Sequence, residues 1–232
     1  ICDTHIYYFT TMKNFNFSLF LSLFFLIILL PESVDAKRIN KKVDEQGVDM
    51  PKVRIASFKG DKACAISYTF DDALRDQSIL AAPMLEKYGF RGTFWAIPSM
   101  VPETEEEILT NSKKKWGGIT WKRLKEMSDN GHEISNHGWS HKNLVNLKSE
   151  QEIRAEIEKA DSLILLKIGK KPRTFCYPYN AFNDQVLAIA MENRVDTRTR
   201  CSGWGYRTTT QWMNNWADGL IKKGEWGIPM IH

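Results

Sequence analysis

The stretch Ile66-Ser67-Tyr68-Thr69-Phe70-Asp71-Asp72 constrains this chain more than any other. Apolar, β-branched and aromatic residues alternate through it in the pattern of a buried strand, and the run ends in two adjacent carboxylates. Consecutive side chains of an extended segment point to opposite faces, so one carboxylate can hold a metal while the other faces a water. Asp-Asp is also common in turns and at helix caps, and taken alone the pair admits that plainer reading.

A second stretch narrows the choice. Asn136-His137-Gly138-Trp139-Ser140-His141 follows another strand-like segment, His132-Glu133-Ile134-Ser135. Imidazoles at i and i+4 share one face of a helical turn, a spacing that suits two ligands of a divalent cation, and Asp72 can supply a hard oxygen as the third. Three protein ligands leave one position open, where a water would be polarised, and an open position marks a catalytic site. The ligand set suits Zn2+, with Co2+ and Ni2+ as alternatives.

Thr69-Phe70-Asp71-Asp72, then His137-Gly138-Trp139-Ser140-His141, then Thr174-Phe175-Cys176-Tyr177-Pro178-Tyr179-Asn180 occur in the order and approximate spacing of a known family. The chain after its leader resembles the polysaccharide deacetylases, carbohydrate esterase family 4, with their NodB homology domain. The resemblance implies an α/β fold, a distorted (β/α) barrel. It implies that Asp72, His137 and His141 hold the metal and that Asp71 is the catalytic base. It places Pro178 and Tyr179 against the substrate, the Tyr179 backbone N–H donating to the oxyanion. The family draws its proton for the leaving amine from a Leu-x-His motif, and Met230-Ile231-His232 stands in that place, which makes His232 the acid. Asp196 and Trp204 faintly match a fourth motif, with Trp204 expected to line the sugar groove or, equally, to pack in the core.

Two positions depart from the family pattern. Cys176 stands where an Arg commonly fixes the base, and Asn180 where a Gly is usual; Arg198 or Arg200 is expected to supply the missing charge. A family domain normally continues past the position of His232, so a longer chain that closes the sheet is also expected.

Before these motifs, Lys13 precedes an apolar run over 17–30, followed by Pro31 and Val34-Asp35-Ala36. A basic start, an apolar core and a small-residue cleavage site together read as a secretory signal peptide. Met12 is a natural first residue, which assigns 12–36 to the signal and 1–36 to a leader, 37–58 to a polar linker and 59–232 to the catalytic domain. The run falls short of the ~20 residues of a membrane span, so membrane contact is expected only through the export signal, with the mature protein secreted or in the cell envelope.

Composition excludes more than it assigns. At 232 residues with 43% hydrophobic content, one domain with a full core is expected. The net charge of +4 rises when the leader, with one Lys and three acids, is removed. Such a balance suits either an anionic polymer or a solvated mixed-charge surface. No basic stripe with stacking aromatics argues for nucleic acid. Cys64, Cys176 and Cys201 remain in the mature chain, an odd number that allows one disulfide plus a thiol, or three buried thiols.

Periodicity predicts a strand over 63–68, a helix over 77–87 with Ile79, Leu80, Met84 and Leu85 on its apolar face, and a strand over 92–97. It then predicts a charged excursion over 103–115, a helix over 120–130, a long helix from the Ser149/Glu152 capping box to 168, a strand over 173–177, a helix over 184–192, and strands over 195–199 and 227–231. Alternation of this kind builds a mostly parallel sheet, with active groups at the carboxyl ends of its strands. The expected activity is removal of N-acetyl groups from an aminosugar polymer such as chitin or peptidoglycan. An O-acetyl xylan esterase of the same family and a carbohydrate-binding homologue without turnover are the alternatives.

Overall fold

Seven short parallel strands carry the fold. A computed structural model of the protein describes residues 55–111 and 117–232; the leader and most of the linker, with residues 112–116 of the charged excursion, lie outside them. The strands are β1 (Ala65–Ile66), β2 (Thr69–Phe70), β3 (Thr93–Ala96), β4 (Glu133–Asn136), β5 (Thr174–Cys176), β6 (Asp196–Arg198), β7 (Ser202–Trp204), β8 (Trp226–Gly227) and β9 (Pro229–Ile231). The main sheet runs β6-β5-β4-β3-β2-β9-β7, and β1 pairs with β8 in a two-stranded sheet of its own. Every one of these pairings is parallel. The sheet curls into the half-barrel expected of the α/β class.

The helices are α1 (Ala82–Lys87), α2 (Glu105–Thr110), α3 (Trp121–Asp129), α4 (Glu150–Ile168), α5 (Asp184–Met191) and α6 (Thr210–Lys223). Their limits follow local chemistry. Thr120, Ser149, Asn183 and Thr209 each accept a backbone N–H of the first turn and cap α3, α4, α5 and α6. Glu150 and Glu152 sit at the positive end of α4 and Lys167 at its negative end. Gly169, at φ 78, then takes the left-handed conformation that ends it.

One face of α4 buries Ile153, Ile157, Ala160, Ile164 and Ile168. These residues join two core clusters: Ile164 and Ile168 pack with Phe70, Phe94 and Leu124, while Ile153 and Ile157 pack with Phe175 and Tyr177. Each such isoleucine contributes about 1.5–3 kcal/mol on burial. Phe70 and Phe94, register partners on β2 and β3, stack with centroids 4.6 Å apart and seal the floor beneath the carboxylates.

Several expectations are corrected. Of the predicted strand over 63–68 only Ala65–Ile66 forms a strand, β1, which pairs outside the main sheet, and the main-sheet strand β2 follows it at Thr69–Phe70. The helix over 77–87 starts as a π-turn, Gln77–Ala81, that buries Gln77 and Ser78, while Leu80 (61%) and Met84 (62%) are exposed. Of the expected apolar face Leu85 alone packs in the core; Ile79, Leu80 and Met84 are turned outward because the Gln77 side chain is drawn in to bond the backbone at Asp71 and Leu74. Ile231 lies on β9, between β2 and β7, and the sheet's edges are β6 and β7. Among the described residues Cys64, Cys176 and Cys201 are all free thiols, and Cys201 is exposed. Strand β7 and helix α6 were not expected.

Candidate metal centre

The two carboxylates do not continue the strand. After Phe70 the backbone turns, with Asp72 at φ 71 and Ala73 at φ 53. Left-handed conformations of this kind are strained, and persist where the surroundings over-determine them. Here Gln77 supplies the restraint, its amide donating to the Asp71 carbonyl at 2.6 Å while its oxygen accepts the Leu74 N–H at 3.1 Å. The turn sends the adjacent side chains to different partners.

Asp71 is 2% exposed and faces Arg198 at the end of β6. The guanidinium donates to Asp71 Oδ1 at 2.7 Å and to Oδ2 at 2.5 Å, and also to Thr69 Oγ1 at 3.0 Å. It lies over the Trp95 ring, 4.6 Å from its centroid. Of the two arginines expected to replace the family's, Arg198 therefore reaches the base, while Arg200 lines a separate cavity with Asp196 and Trp226. Cys176 is the β-sheet register partner of Arg198, and its thiol sits 3.7 Å from Asp71 Oδ2. Burial pushes that thiol's pKa up, so it stays protonated.

Asp72 Oδ1 points at both imidazoles, 3.4 Å from His137 Nε2 and 3.5 Å from His141 Nε2. The two rings are 4.9 Å apart. The spacing of the histidines survives from sequence to structure, but the helical turn does not: residues 137–143 are irregular, and His141 has φ 59. His137 Nδ1 lies 2.8 Å from the Cys176 carbonyl. That acceptor places the proton on Nδ1 and leaves the Nε2 lone pair for a cation.

In the absence of a cation the Asp72 carboxylate and the His137 imidazole stabilise each other's charge. Burial disfavours the Asp72 carboxylate, yet His137 and His141 outweigh it and hold its pKa below the ordinary aspartate value. Burial also opposes charge on His137, but Cys176, Asp72 and Asp71 around it raise its pKa well above the usual value. His141 moves the other way, held down by burial and then by His137.

Asp72 Oδ1 is buried and has no hydrogen-bond partner. An orphaned carboxylate oxygen is costly in a closed site, and a cation would satisfy it. Ligands ~2.1 Å from a tetrahedral zinc lie about 3.4 Å from one another, which is the spacing of Asp72 Oδ1 from each imidazole. The residues therefore fit a divalent metal. Asp71, His137 and Cys176 form a second cluster of ligand atoms within 4.8 Å, but Arg198 already engages both oxygens of Asp71.

The remaining predicted residues gather around this centre, with one exception. His232 Nε2 stands 3.9 Å from Asp71 Oδ2, on a half-exposed imidazole. Pro178 is buried and lies 3.5 Å from where a Cβ on Gly138 would sit, so the third motif packs on the histidine loop. Tyr179, in the left-handed conformation at φ 62, is 67% exposed with its ring 4.7 Å from His141. Trp204 instead packs edge-on to Tyr68, Trp212 and Trp216, half-buried and in neither core cluster.

Carboxylates, imidazoles, the third motif and His232 all lie just past the ends of parallel strands, in the sequence order and spatial arrangement of one family of hydrolase. The sequence profile described as Polysaccharide deacetylase matches residues 59–197, and the chain belongs to that family. It is 30% identical over 124 residues to chitin deacetylase 1 of Cryptococcus neoformans var. grubii, a match over 53% of this chain and 23% of that protein. Over 167 residues it is 26% identical to the peptidoglycan-N-acetylmuramic acid deacetylase PdaC of Bacillus subtilis, a match over 68% of this chain and 31% of the relative. The chain spans less than half the length of the curated relatives it matches. Its fold is similar to the Xyl-CE4 domain of a multidomain xylanase from the hindgut metagenome of Trinervitermes trinervoides, with TM-score 0.53, 23% identity and 74% of each chain covered.

Proposed function

We propose that this protein is an exported, metal-dependent deacetylase that hydrolyses N-acetyl groups of an aminosugar polymer. The observation that carries the reading is the buried Asp72 Oδ1, without a hydrogen bond and set at ligand spacing from two imidazole nitrogens beside a second, separately held carboxylate. Asp72, His137 and His141 would hold the cation. When bound, it would supply Lewis-acid polarisation of the acyl oxygen and of the attacking water.

The chain's own groups supply the proton movements. Asp71, fixed by Arg198, is oriented to take a proton from the attacking water, and its two oxygens cannot rotate away. His232 stands beside it to protonate the departing nitrogen. An amine leaves an acyl centre only when protonated, whereas an alkoxide leaves more readily, so a placed acid serves an amide more than an ester. The Tyr179 backbone N–H is assigned to the oxyanion. A groove of about 590 Å³ lined by His141, Lys142, Asn143, Asn146, Leu147 and Tyr179 gives the polymer a path beside the candidate metal site, with an aromatic wall and hydrogen-bonding side chains. The curated relatives named for chitin and peptidoglycan support the N-acetyl reading over the xylan one. Lys13 and the apolar run that follows support export.

The test is acetate release from N-acetylglucosamine oligomers and from acetylated xylan, with and without chelator, for the wild type, Asp71→Asn and His137→Ala. Release from the oligomers that is lost in all three perturbations is expected. Release that survives chelation or either substitution refutes the mechanism, and release from xylan alone refutes the substrate assignment.

A further inference from the structure

The buried face of α4 carries one charged side chain among its aliphatics. Glu156 is 5% exposed and lies directly under the loop that carries His141. Its Oε2 accepts the Ser140 N–H at 2.9 Å, and the Ser140 hydroxyl donates to both carboxylate oxygens at 2.9 and 3.0 Å. Lys142 Nζ stands 3.0 Å from Oε1, and the Glu156 carbonyl accepts the Trp139 N–H at 2.8 Å. Contacts from one residue thus reach positions 139, 140 and 142, on both sides of His141.

The loop's other contacts, the Ser99 N–H on the Trp139 carbonyl, Asn136 on the Gly138 N–H and the Tyr179 ring beside His141, do not bracket His141 from both sides. The loop is not helical, so no i to i+4 ladder sets the relation between the two imidazoles. His141 takes φ 59, a conformation that needs external restraint. His137 continues β4 and is fixed by the sheet and by the Cys176 carbonyl. His141 has neither support. Of the four backbone N–H groups from His137 to Ser140, the last two end on Glu156. A leucine would fill the same helix position at no cost in desolvation, so a buried carboxylate here calls for a polar role.

We propose that Glu156 is a positioning residue for the second imidazole ligand: through Ser140 and Lys142 it holds His141 within coordinating distance of Asp72. The proposal rests on the metal-site reading above, and the experiment separates the two. Zinc chloride is titrated calorimetrically into the full chain, stripped with chelator and desalted, for wild type, Glu156→Ala, Glu156→Gln, Ser140→Ala and His141→Ala, with a urea melt of each. Glu156→Ala is expected to weaken zinc binding about 10–100-fold. Glu156→Gln, which keeps one acceptor for the Ser140 N–H, and Ser140→Ala, which removes only the hydroxyl, should fall between it and wild type.

Folded Glu156 variants that bind zinc within twofold of wild type overturn the proposal, even where the urea midpoint drops, because that result assigns Glu156 to packing alone. If Glu156→Ala does not fold, Ser140→Ala and Glu156→Gln carry the same test. Zinc binding that is absent in wild type, or unchanged in His141→Ala, overturns the metal-site reading itself and the proposal with it.

Discussion

Replacing Arg198 with Leu removes the only group among the described residues that grips both oxygens of the base. In the folded chain Arg198 donates to Asp71 at 2.7 and 2.5 Å, to Thr69 at 3.0 Å and, less closely, to Asn180 at 3.3 Å. Arg198 and Asp71 are both nearly inaccessible to solvent. Deleting one partner of a buried pair strands the other charge, at a cost of about 3–5 kcal/mol. That is a large share of a typical stability of ~5–15 kcal/mol, so the variant should fold but unfold at clearly lower urea. Acetate release should fall with it, since an unanchored carboxylate no longer presents one oxygen to the water. Asp71→Asn in the Arg198→Leu background should cost little more than Arg198→Leu alone, giving a coupling energy of at least about 2 kcal/mol in a double-mutant cycle. The exchange Cys176→Arg with Arg198→Cys is the sharper arm. The two positions are register partners on β5 and β6, and adjacent strands lie ~4.8 Å apart, so a guanidinium from either can reach Asp71. The exchange should recover much of the activity that Arg198→Cys alone loses. A destabilisation below about 1 kcal/mol, near-zero coupling, or an exchange no better than Arg198→Cys would each refute the argument.

Three further outcomes follow from the geometry. Zinc at a hundredfold excess over its dissociation constant should stabilise the fold by about 2.7 kcal/mol, read as a rise in melting temperature of roughly 5–10 °C; an equal rise in Asp72→Ala would contradict the ligand assignment. His132 accepts the Gly92 N–H on Nδ1 at 3.0 Å and meets Glu86 through Nε2 at 3.1 Å, and burial holds its pKa below the usual value despite Glu86. Its contribution is therefore complete above a pH of about 6.5 and is lost as pH falls below it, by at most ~1.4 kcal/mol per pH unit. Urea midpoints at pH 7.5 and 5.5 should differ less in His132→Gln than in the wild type, and an unchanged pH dependence would rule the residue out. Gly227→Ala would set a Cβ 2.4 Å from both Leu220 and Trp216. Overpacking of that kind costs about 1–3 kcal/mol, so thermal melts should show a drop, and an unaltered melting temperature would mean that α6 moves freely.

What could be read from the sequence was set by local chemistry. Caps and stops placed α3 and α4 to within a residue or two, because Thr120, Ser149 and Gly169 act on their own neighbours, and periodicity placed α5 as closely. Helix α6 had such signals too: Thr209 ahead of it, Gly224 at φ 67 after it, and Trp212, Trp216 and Leu220 at intervals of four. Strand β7 had none, since Ser-Gly-Trp shows no period and its pairing with β9 is a long-range choice. The face of the helix over 77–87 was misread for a related reason. Three of its apolar residues sit at helical spacing, but the demand of the Asp71 turn for Gln77 outranks them, and no window of neighbouring residues reports that demand.

The candidate site divides along the same line. Asp72, His137 and His141 are recognisable because ligand chemistry admits few residue types and their spacing is short-range. Their supports are ordinary residues made functional by topology. Arg198 reaches Asp71 across 127 positions, and Asn136 joins Asp161 across 25, the latter held in turn by Arg194. Glu156 is the instructive case. A charge on the aliphatic face of an amphipathic helix is visible in sequence as an exception to its period, at a position where burial without a partner would be costly. The exception predicts that a partner exists; only the parallel order of β4 and β5 under α4 determines that the partner is the loop carrying His141.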